Sequence, residues 1–369
     1  MLKMVNIGNN LSLAYKNLVR IIFKIIYGKV YFLNNQNYST KIKLYQIRDP
    51  KISYLKKKKY LIYKIKNGRV STDYVENVAI IDGNRIIDKI SYQQIKGNLR
   101  SAKYNSAIKK GTPYIKKKFR GRVLSLTQGA SGHSNYFHWL FDILPKIKLY
   151  SEKFDFKDLD FFYTSKLLNY QKKTLDFLGL DSIKIIDSSK YRHITSNEII
   201  VTQHPWYHKG YIMNEVYKIP PWTINWIKRK FLPYKKNFYC NDKIFIDRSE
   251  SKFNHCQIQN NSEVINFLKG KGFSSYKVGQ LSFEKQIYLF NNAKIIIGAH
   301  GAAFANLAFS RPNTKVIEFK PVWHKNLVNK KISKVNSLNY KLINTPLIKK
   351  NLSSKGDIYL DIKKLNRII

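Results

Sequence analysis

The chain has 369 residues, and its 67 Lys and Arg against 23 Asp and Glu give a formal net charge of +44. That length suffices for two domains with real cores, and 44% hydrophobic residues with only 17 Gly and 10 Pro exclude a disordered, collagenous or low-complexity chain. Two cysteines, Cys240 and Cys256, exclude a disulfide framework and a cysteine-built zinc site, so a reducing compartment is expected.

Only 12 of the 67 cations are arginine, and Lys, Ile, Asn and Tyr are all abundant. This is the residue usage of an AT-rich genome, which accounts for much of the charge. The functional alternative is attraction to nucleotide phosphates, an anionic leaflet or nucleic acid. No run reaches the roughly 18 uninterrupted apolar residues of a membrane span.

Residues 8–29 predict an amphipathic basic helix of about five turns. Ser12, Lys16, Arg20 and Lys24 form a polar stripe, and Leu11, Tyr15, Leu18, Ile22, Ile25 and Ile26 fall on the other side. Charges interrupt the apolar stretch and no small-residue cleavage pattern follows, which argues against a signal peptide. Such a helix lies on an anionic membrane surface or docks on its own protein, and both readings stay open.

Residues 41–118 predict short strands and turns, with a hairpin of Val78–Ile81 and Arg85–Ile90 around Asp82-Gly83-Asn84. The runs Lys56–Lys59 and Lys116–Lys118 read as solvated loops. After Arg122 strands are expected at Val123–Thr127, Phe161–Thr164, Ile183–Ile186 and Glu198–Thr202. Helices are expected at Asn135–Tyr150, Tyr170–Leu178 and Pro221–Lys230. A second series follows the boundary candidate Pro233-Tyr-Lys-Lys-Asn. Its strands are Lys243–Asp247, Ser275–Val278, Lys294–Gly298 and Lys315–Phe319; its helices are Ser262–Lys269, Ser282–Asn291 and Ala302–Phe309. This alternation implies an α/β protein with parallel sheets.

The expected division is a strand-rich and helical extension (1–118), Rossmann-like domains over 119–234 and 235–345 facing a cleft, and a tail (346–369) packing back on the first domain. Ligands in such folds sit at the carboxyl ends of strands.

Gly298-Ala-His-Gly-Ala302 joins a strand to a helix. Small residues there let phosphates approach backbone N–H groups, the helix start adds donors and a positive dipole end, and His300 can donate to a phosphate oxygen. Equally, Gly and Ala permit close packing and His300 is an ordinary loop histidine. Glu318, near a strand's carboxyl end, suits ribose hydroxyls or an ion pair with a lysine. Arg248 ends the strand from Lys243 and suits bidentate phosphate recognition, while Asp247 could pair with a neighbour.

His138 and Asp142 are four residues apart, on one helix face among apolar and aromatic residues. They read as a general base or as a structural hydrogen bond. Asp158-Leu-Asp160 is nominally the Asp-X-Asp of metal-dependent transferases, but it precedes a strand and reads as surface. His193, His204 and His208 show no metal spacing and stay unassigned.

Taken in series, Asn135-Tyr-Phe-His-Trp-Leu-Phe-Asp-Ile-Leu-Pro, the strand ending in Arg248, Leu281-Ser-Phe-Glu-Lys-Gln-Ile-Tyr-Leu-Phe, Gly298-Ala-His-Gly-Ala, Asn306-Leu-Ala-Phe and Val316-Ile-Glu-Phe resemble the family 61 glycosyltransferases. Bacterial members are often described as capsular polysaccharide biosynthesis proteins. The resemblance covers residues 120–325.

It implies a GT-B fold and an inverting, metal-independent glycosyltransferase without a cofactor. A sugar would pass from a nucleotide-sugar to a glycan or lipid-linked acceptor in capsular polysaccharide or exopolysaccharide synthesis. Residues 119–234 would serve the acceptor and 235–345 the nucleotide-sugar. The family's His-X-X-X-Asp motif maps onto His138 and Asp142, with Asp142 the base. Gly298, His300, Gly301 and Ala302, with Asn306, Glu318, Arg248 and Lys252, would bind the donor.

The family's second arginine cluster is missing: His255-Cys-Gln-Ile-Gln-Asn-Asn stands in its place. Donor phosphates are then left to Arg248, Lys252 or His255. A cytoplasmic location is expected, with peripheral contact to the inner face of the membrane. The alternatives are a non-catalytic nucleotide-sugar or carbohydrate scaffold and a basic nucleic-acid-binding protein. The latter lacks the clustered aromatic and arginine segments of such modules.

Overall fold

The computed structural model describes residues 2–33, 39–48, 59–73, 77–127, 134–206, 210–250, 256–346 and 356–369. Lys252, His255, His208 and residues 56–58 lie outside the described residues. The chain forms two compact units, Met1–Leu168 with Leu180–Ile212, and Asn169–Gly179 with Met213–Ile369. The passage between units falls at residue 212, where 234 was expected, and a short segment inside the first half belongs to the second unit.

The first unit opens with α1 (Leu2–Tyr27) and strands β1 (Ile42–Ile47), β2 (Tyr60–Lys66), β3 (Arg69–Thr72), β4 (Val78–Asp82) and β5 (Arg85–Ile86). Then come β6 (Gln93–Ile95), β7 (Asn98–Arg100), α2 (Ser106–Lys110) and β8 (Lys117–Ser125). After β8 lie α3 (Tyr136–His138), a π-helical turn (Trp139–Ile143) and α4 (Leu144–Ser151). β9 (Phe161–Thr164), β10 (Lys184–Asp187), β11 (His193–Thr202) and β12 (Gly210–Tyr211) complete the unit.

Nine strands form one sheet along the path β10-β9-β8-β11-β3-β4-β5, with β2 also on β11 and β1 on β2. β10, β9, β8 and β11 run parallel to one another, but β11 is antiparallel to both β2 and β3. The sheet is therefore mixed, and residues 42–86 are built into it rather than forming the separate extension expected. The successive residues Val123 and Leu124 of β8 and Ile199 and Ile200 of β11 are all buried, as strands covered on both faces require.

The second unit holds α5 (Asn169–Asp176), α6 (Ile212–Glu215) at the junction, α7 (Pro221–Phe231), β13 (Lys243–Ile246), α8 (Asn261–Gly270) and β14 (Ser274–Tyr276). It continues with α9 (Phe283–Asn292), β15 (Ile295–Ala299), a 3-10 helix (Ala302–Phe309), β16 (Lys315–Pro321), α10 (Val328–Val335), β17 (Asn339–Thr345) and α11 (Ile362–Asn366). Its five strands are ordered β14-β13-β15-β16-β17 and all parallel. This is a doubly wound order, and the direction of winding switches between β13 and β15, where such sheets bind ligands at their carboxyl edge.

The helix expected at Ala302–Phe309 is present with those bounds, as a 3-10 helix; its rise of roughly 2.0 Å per residue against 1.5 Å carries a short crossover further along the sheet. One expectation is corrected here: the described part of the tail packs on the second unit, not the first. Ile358, Leu360 and Leu365 join Val264, Leu268 and Phe273 in one apolar cluster, and Ile358 bridges to Ile258.

Candidate functional site

Each unit carries one cluster of titratable side chains at the carboxyl edge of its parallel strands. In the first unit β8 and β11 are parallel neighbours, with Leu124 opposite Ile200. The residues leaving both strand ends therefore converge. Asn135 caps the helix after β8, its side chain accepting from the amides of Phe137 and His138. Pro145 follows one turn on. It lacks an N–H, and in an α-turn its ring would crowd the Phe141 carbonyl. The widened π turn over Trp139–Ile143 relieves that crowding and carries Asp142.

Asp142 is fully buried with both oxygens held: His138 Nδ1 lies 2.6 Å from Oδ2, and Trp206 Nε1 donates to Oδ1 at 2.8 Å. His204 Nε2 stands 3.8 Å from Oδ2. Because a carboxylate only accepts, the bond to Asp142 takes the Nδ1 proton of His138, and in the neutral ring Nε2 is then the nitrogen with the lone pair. The His138 side chain is 17% exposed. Of the pair it is the member open to solvent. Lys146, also buried, donates from Nζ to the Thr127 carbonyl at 2.6 Å and ties the helix to the end of β8. Burial pulls its ammonium down to about 7, with Asp142 opposing the shift.

In the second unit Arg248 follows β13 and His300 follows β15, so both stand at the switch between these strands. Arg248 Nη1 donates to the His300 carbonyl at 2.6 Å. A Cβ at Gly301 would lie 1.2 Å from that same Nη1, so only glycine lets the guanidinium pass. Burial holds the Arg248 guanidinium below its ordinary value, Cys256 and Glu318 opposing.

His300 Nδ1 bonds to Glu318 Oε1, which also accepts from Asn329 Nδ2 at 2.8 Å, and the Tyr340 hydroxyl donates to Oε2. Burial would raise the Glu318 carboxyl, but His300, Tyr340 and Asn329 together leave it below its ordinary value. Glu318 is 2% exposed. Its oxygens are committed inside the unit to holding the His300 ring, not offered to a ribose as expected.

The remaining expected donor-site residues fall as follows. The His300 amide donates to the Phe319 carbonyl at 2.8 Å, so this turn amide is spent on the sheet. Asn306 is fully buried and donates to Gln286 Oε1 at 3.1 Å, bracing the 3-10 helix against α9. Gly298 allows β15 to approach Ile246 of β13, and Ala302 opens the 3-10 helix. Asp158 and Asp160 are exposed, as expected, with Asp158 paired to Arg122 at 3.1 Å. Asp247 accepts from Ser249 and Asn261.

Five participants escaped the sequence reading. His204 and Trp206 follow β11, and their position after a strand's carboxyl end was the available signal. Asn329, Tyr340 and His324, whose ring lies tilted 4.3 Å from that of His300, come from separate elements and carry no local pattern. Among the described residues no group of three or more His, Cys, Asp or Glu could hold a metal ion.

A family model described as Glycosyltransferase 61 matches residues 136–317. The match contains His138, Asp142, Arg248 and His300 and ends one residue before Glu318. No curated protein matches the chain.

Proposed function

The chain belongs to the glycosyltransferase 61 family and is a glycosyltransferase, and from that premise we propose that it transfers a sugar from a nucleotide-sugar with inversion, His138 accepting the proton of the incoming hydroxyl. The observation that carries this reading is the hydrogen bond from His138 Nδ1 to the buried Asp142. It leaves Nε2 of a partly exposed imidazole as the acceptor. Asp142 fixes the tautomer and stabilises the imidazolium that forms, so the base assigned to Asp142 moves outward to its partner.

In this proposal the acceptor oxygen forms its bond to the anomeric carbon as the bond to the nucleoside diphosphate breaks. The hydroxyl proton goes to His138 Nε2, and the electron pair leaves with the diphosphate. Arg248 and the His300 ring, backed by Glu318, hold the charge developing there. Because these side chains carry that task, the reaction is proposed to need no metal, and chelator should leave it unchanged. The GT-B assignment, with one unit serving the acceptor and the other the donor, and a cytoplasmic role in surface polysaccharide synthesis belong to the same proposal. The test is nucleoside diphosphate release across a panel of activated sugars, with the product anomer read by NMR. A retained configuration, or release from none of them, overturns it.

We propose further that α1 rests on an anionic membrane surface. Leu18, Ile22, Ile25 and Ile26 are 44–79% exposed, while the opposite side is held by the unit. There the Tyr27 ring meets His193 at 5.0 Å and its hydroxyl accepts from the Lys116 amide. The apolar face is thus not the one docked on the protein. With a net charge of +44 on the chain, anionic lipid is the complementary surface.

A further inference from the structure

The first unit holds a cavity of about 800 Å³ that the proposed chemistry does not use. It opens over the amino-terminal half of β8, around Arg120, roughly 20 Å of strand from Thr127 beside the His138 cluster. Its floor is built. β11 carries a bulge between Ser196 and Glu198, opposite Gly121, whose φ of 113° a side chain rarely adopts. Asn197 Oδ1 accepts from the Gly121 amide at 3.0 Å.

Eight of the fifteen lining residues are Lys or Arg, against 67 of 369 in the chain. Drift in composition scatters lysines over solvated faces and does not concentrate them threefold in a hollow. The carboxylates of the wall are already matched: Glu198 pairs with Lys64 at 2.9 Å, Asp158 with Arg122 at 3.1 Å, and Asp160 accepts from the Arg122 amide at 2.7 Å. Lys41, Lys43, Lys66, Lys118, Arg120 and Lys157 make no ion pair among the described residues. Lys43 lies directly opposite Lys64 in the β1–β2 ladder, a like-charge pairing that costs stability.

We infer that this cavity binds an acidic segment, carboxylate- or phosphate-bearing, of a glycan chain. Naming that glycan as the acceptor rests on the transferase reading above. Unpaired cations meet the acidic groups, while Asp158, Asp160, Asn197 and the Tyr45 ring offer acceptors and a stacking face to sugar hydroxyls and rings. A nucleic-acid strand fits less well: it carries a charge on every nucleotide and needs several aromatic platforms, and among the described residues Tyr45 is the lone aromatic lining the cavity.

The test is calorimetry with a size-defined oligogalacturonate and a neutral malto-oligosaccharide of equal length, at roughly physiological salt so that diffuse charge is screened. The cavity variant is Lys43→Gln with Lys66→Gln and Arg120→Gln. The control removes equal charge elsewhere in the unit, as Lys103→Gln with Lys109→Gln and Lys190→Gln. The cavity variant is expected to lose about tenfold or more in affinity for the acidic oligomer, to melt no lower than wild type because Lys43 no longer opposes Lys64, and to keep its donor affinity. The control is expected to bind as wild type does. Equal losses in both variants, equal binding of the neutral oligomer, or tighter cavity-dependent binding of single-stranded DNA or anionic vesicles overturns the inference. Cavity-dependent binding of the acidic oligomer by a chain that transfers no sugar would sink the transferase reading and leave the cavity assignment standing.

Discussion

His138 Nδ1 lies 2.6 Å from Asp142 Oδ2, and that carboxylate is fully buried while the imidazole reaches solvent. In the proposed mechanism the carboxylate acts through the ring. Asp142→Asn keeps the shape but offers one acceptor oxygen to two donors, His138 Nδ1 and Trp206 Nε1, and with its amide nitrogen against the imidazole the tautomer with a free Nε2 is disfavoured. Turnover is expected to fall by about 10²–10⁴-fold, with nucleoside diphosphate affinity unchanged by calorimetry. Turnover close to wild type would remove Asp142 from the mechanism.

Gly301 is the complementary test in the second unit. Its Cβ would occupy the place of Arg248 Nη1, so Gly301→Ala displaces the guanidinium without touching a charge. Loss of one charge-assisted bond to a phosphate is worth about 1.5–3 kcal/mol. Nucleoside diphosphate affinity is expected to fall by about 10–100-fold, and Arg248→Ala should give a similar loss. An alanine variant that binds as tightly as wild type would show that Arg248 does not hold the donor.

Lys146 supplies a pH signature. Burial sets its folded value at about 7, against 10.5 as the ordinary value. Between those two values the unfolded chain binds a proton that the folded chain does not, so stability rises with pH across that window and is flat below it. In Lys146→Met that rise should disappear from the unfolding midpoint measured at about pH 7, 8 and 9, whatever the variant's absolute stability. An unchanged slope would mean that Lys146 stays charged in the fold.

The outward face of α1 predicts membrane association. Replacing Leu18, Ile22 and Ile25 by Asp removes apolar side chains worth about 1.5–3 kcal/mol each when buried. Sedimentation with vesicles containing phosphatidylglycerol is expected to drop to the level seen with neutral lipid. Undiminished association would assign the binding to charge elsewhere on the chain.

Much of this was legible in the sequence where the signal is local. β13, β15 and β16 are rich in Ile, Val and Phe and bounded by polar turns, and their boundaries fall within two residues of expectation. His138 and Asp142 declared their contact by spacing alone. What stayed hidden depends on partners far along the chain. Nothing near Glu198 shows that it faces both Lys66 and Arg122, so the joining of the amino-terminal strands to β11 could not be read. Glu318 occupies a ribose-binding position by pattern. Its commitment to His300, Asn329 and Tyr340 follows only once β16, α10 and β17 are packed together. The helix at residues 8–29 showed two faces, but its sequence did not say which one meets the protein.

The most direct measurement is transfer by His138→Gln at saturating donor and acceptor, read beside donor affinity on the same sample. The account predicts that turnover falls by at least about 100-fold while nucleoside diphosphate binds as to wild type. Wild-type turnover in that variant would contradict it.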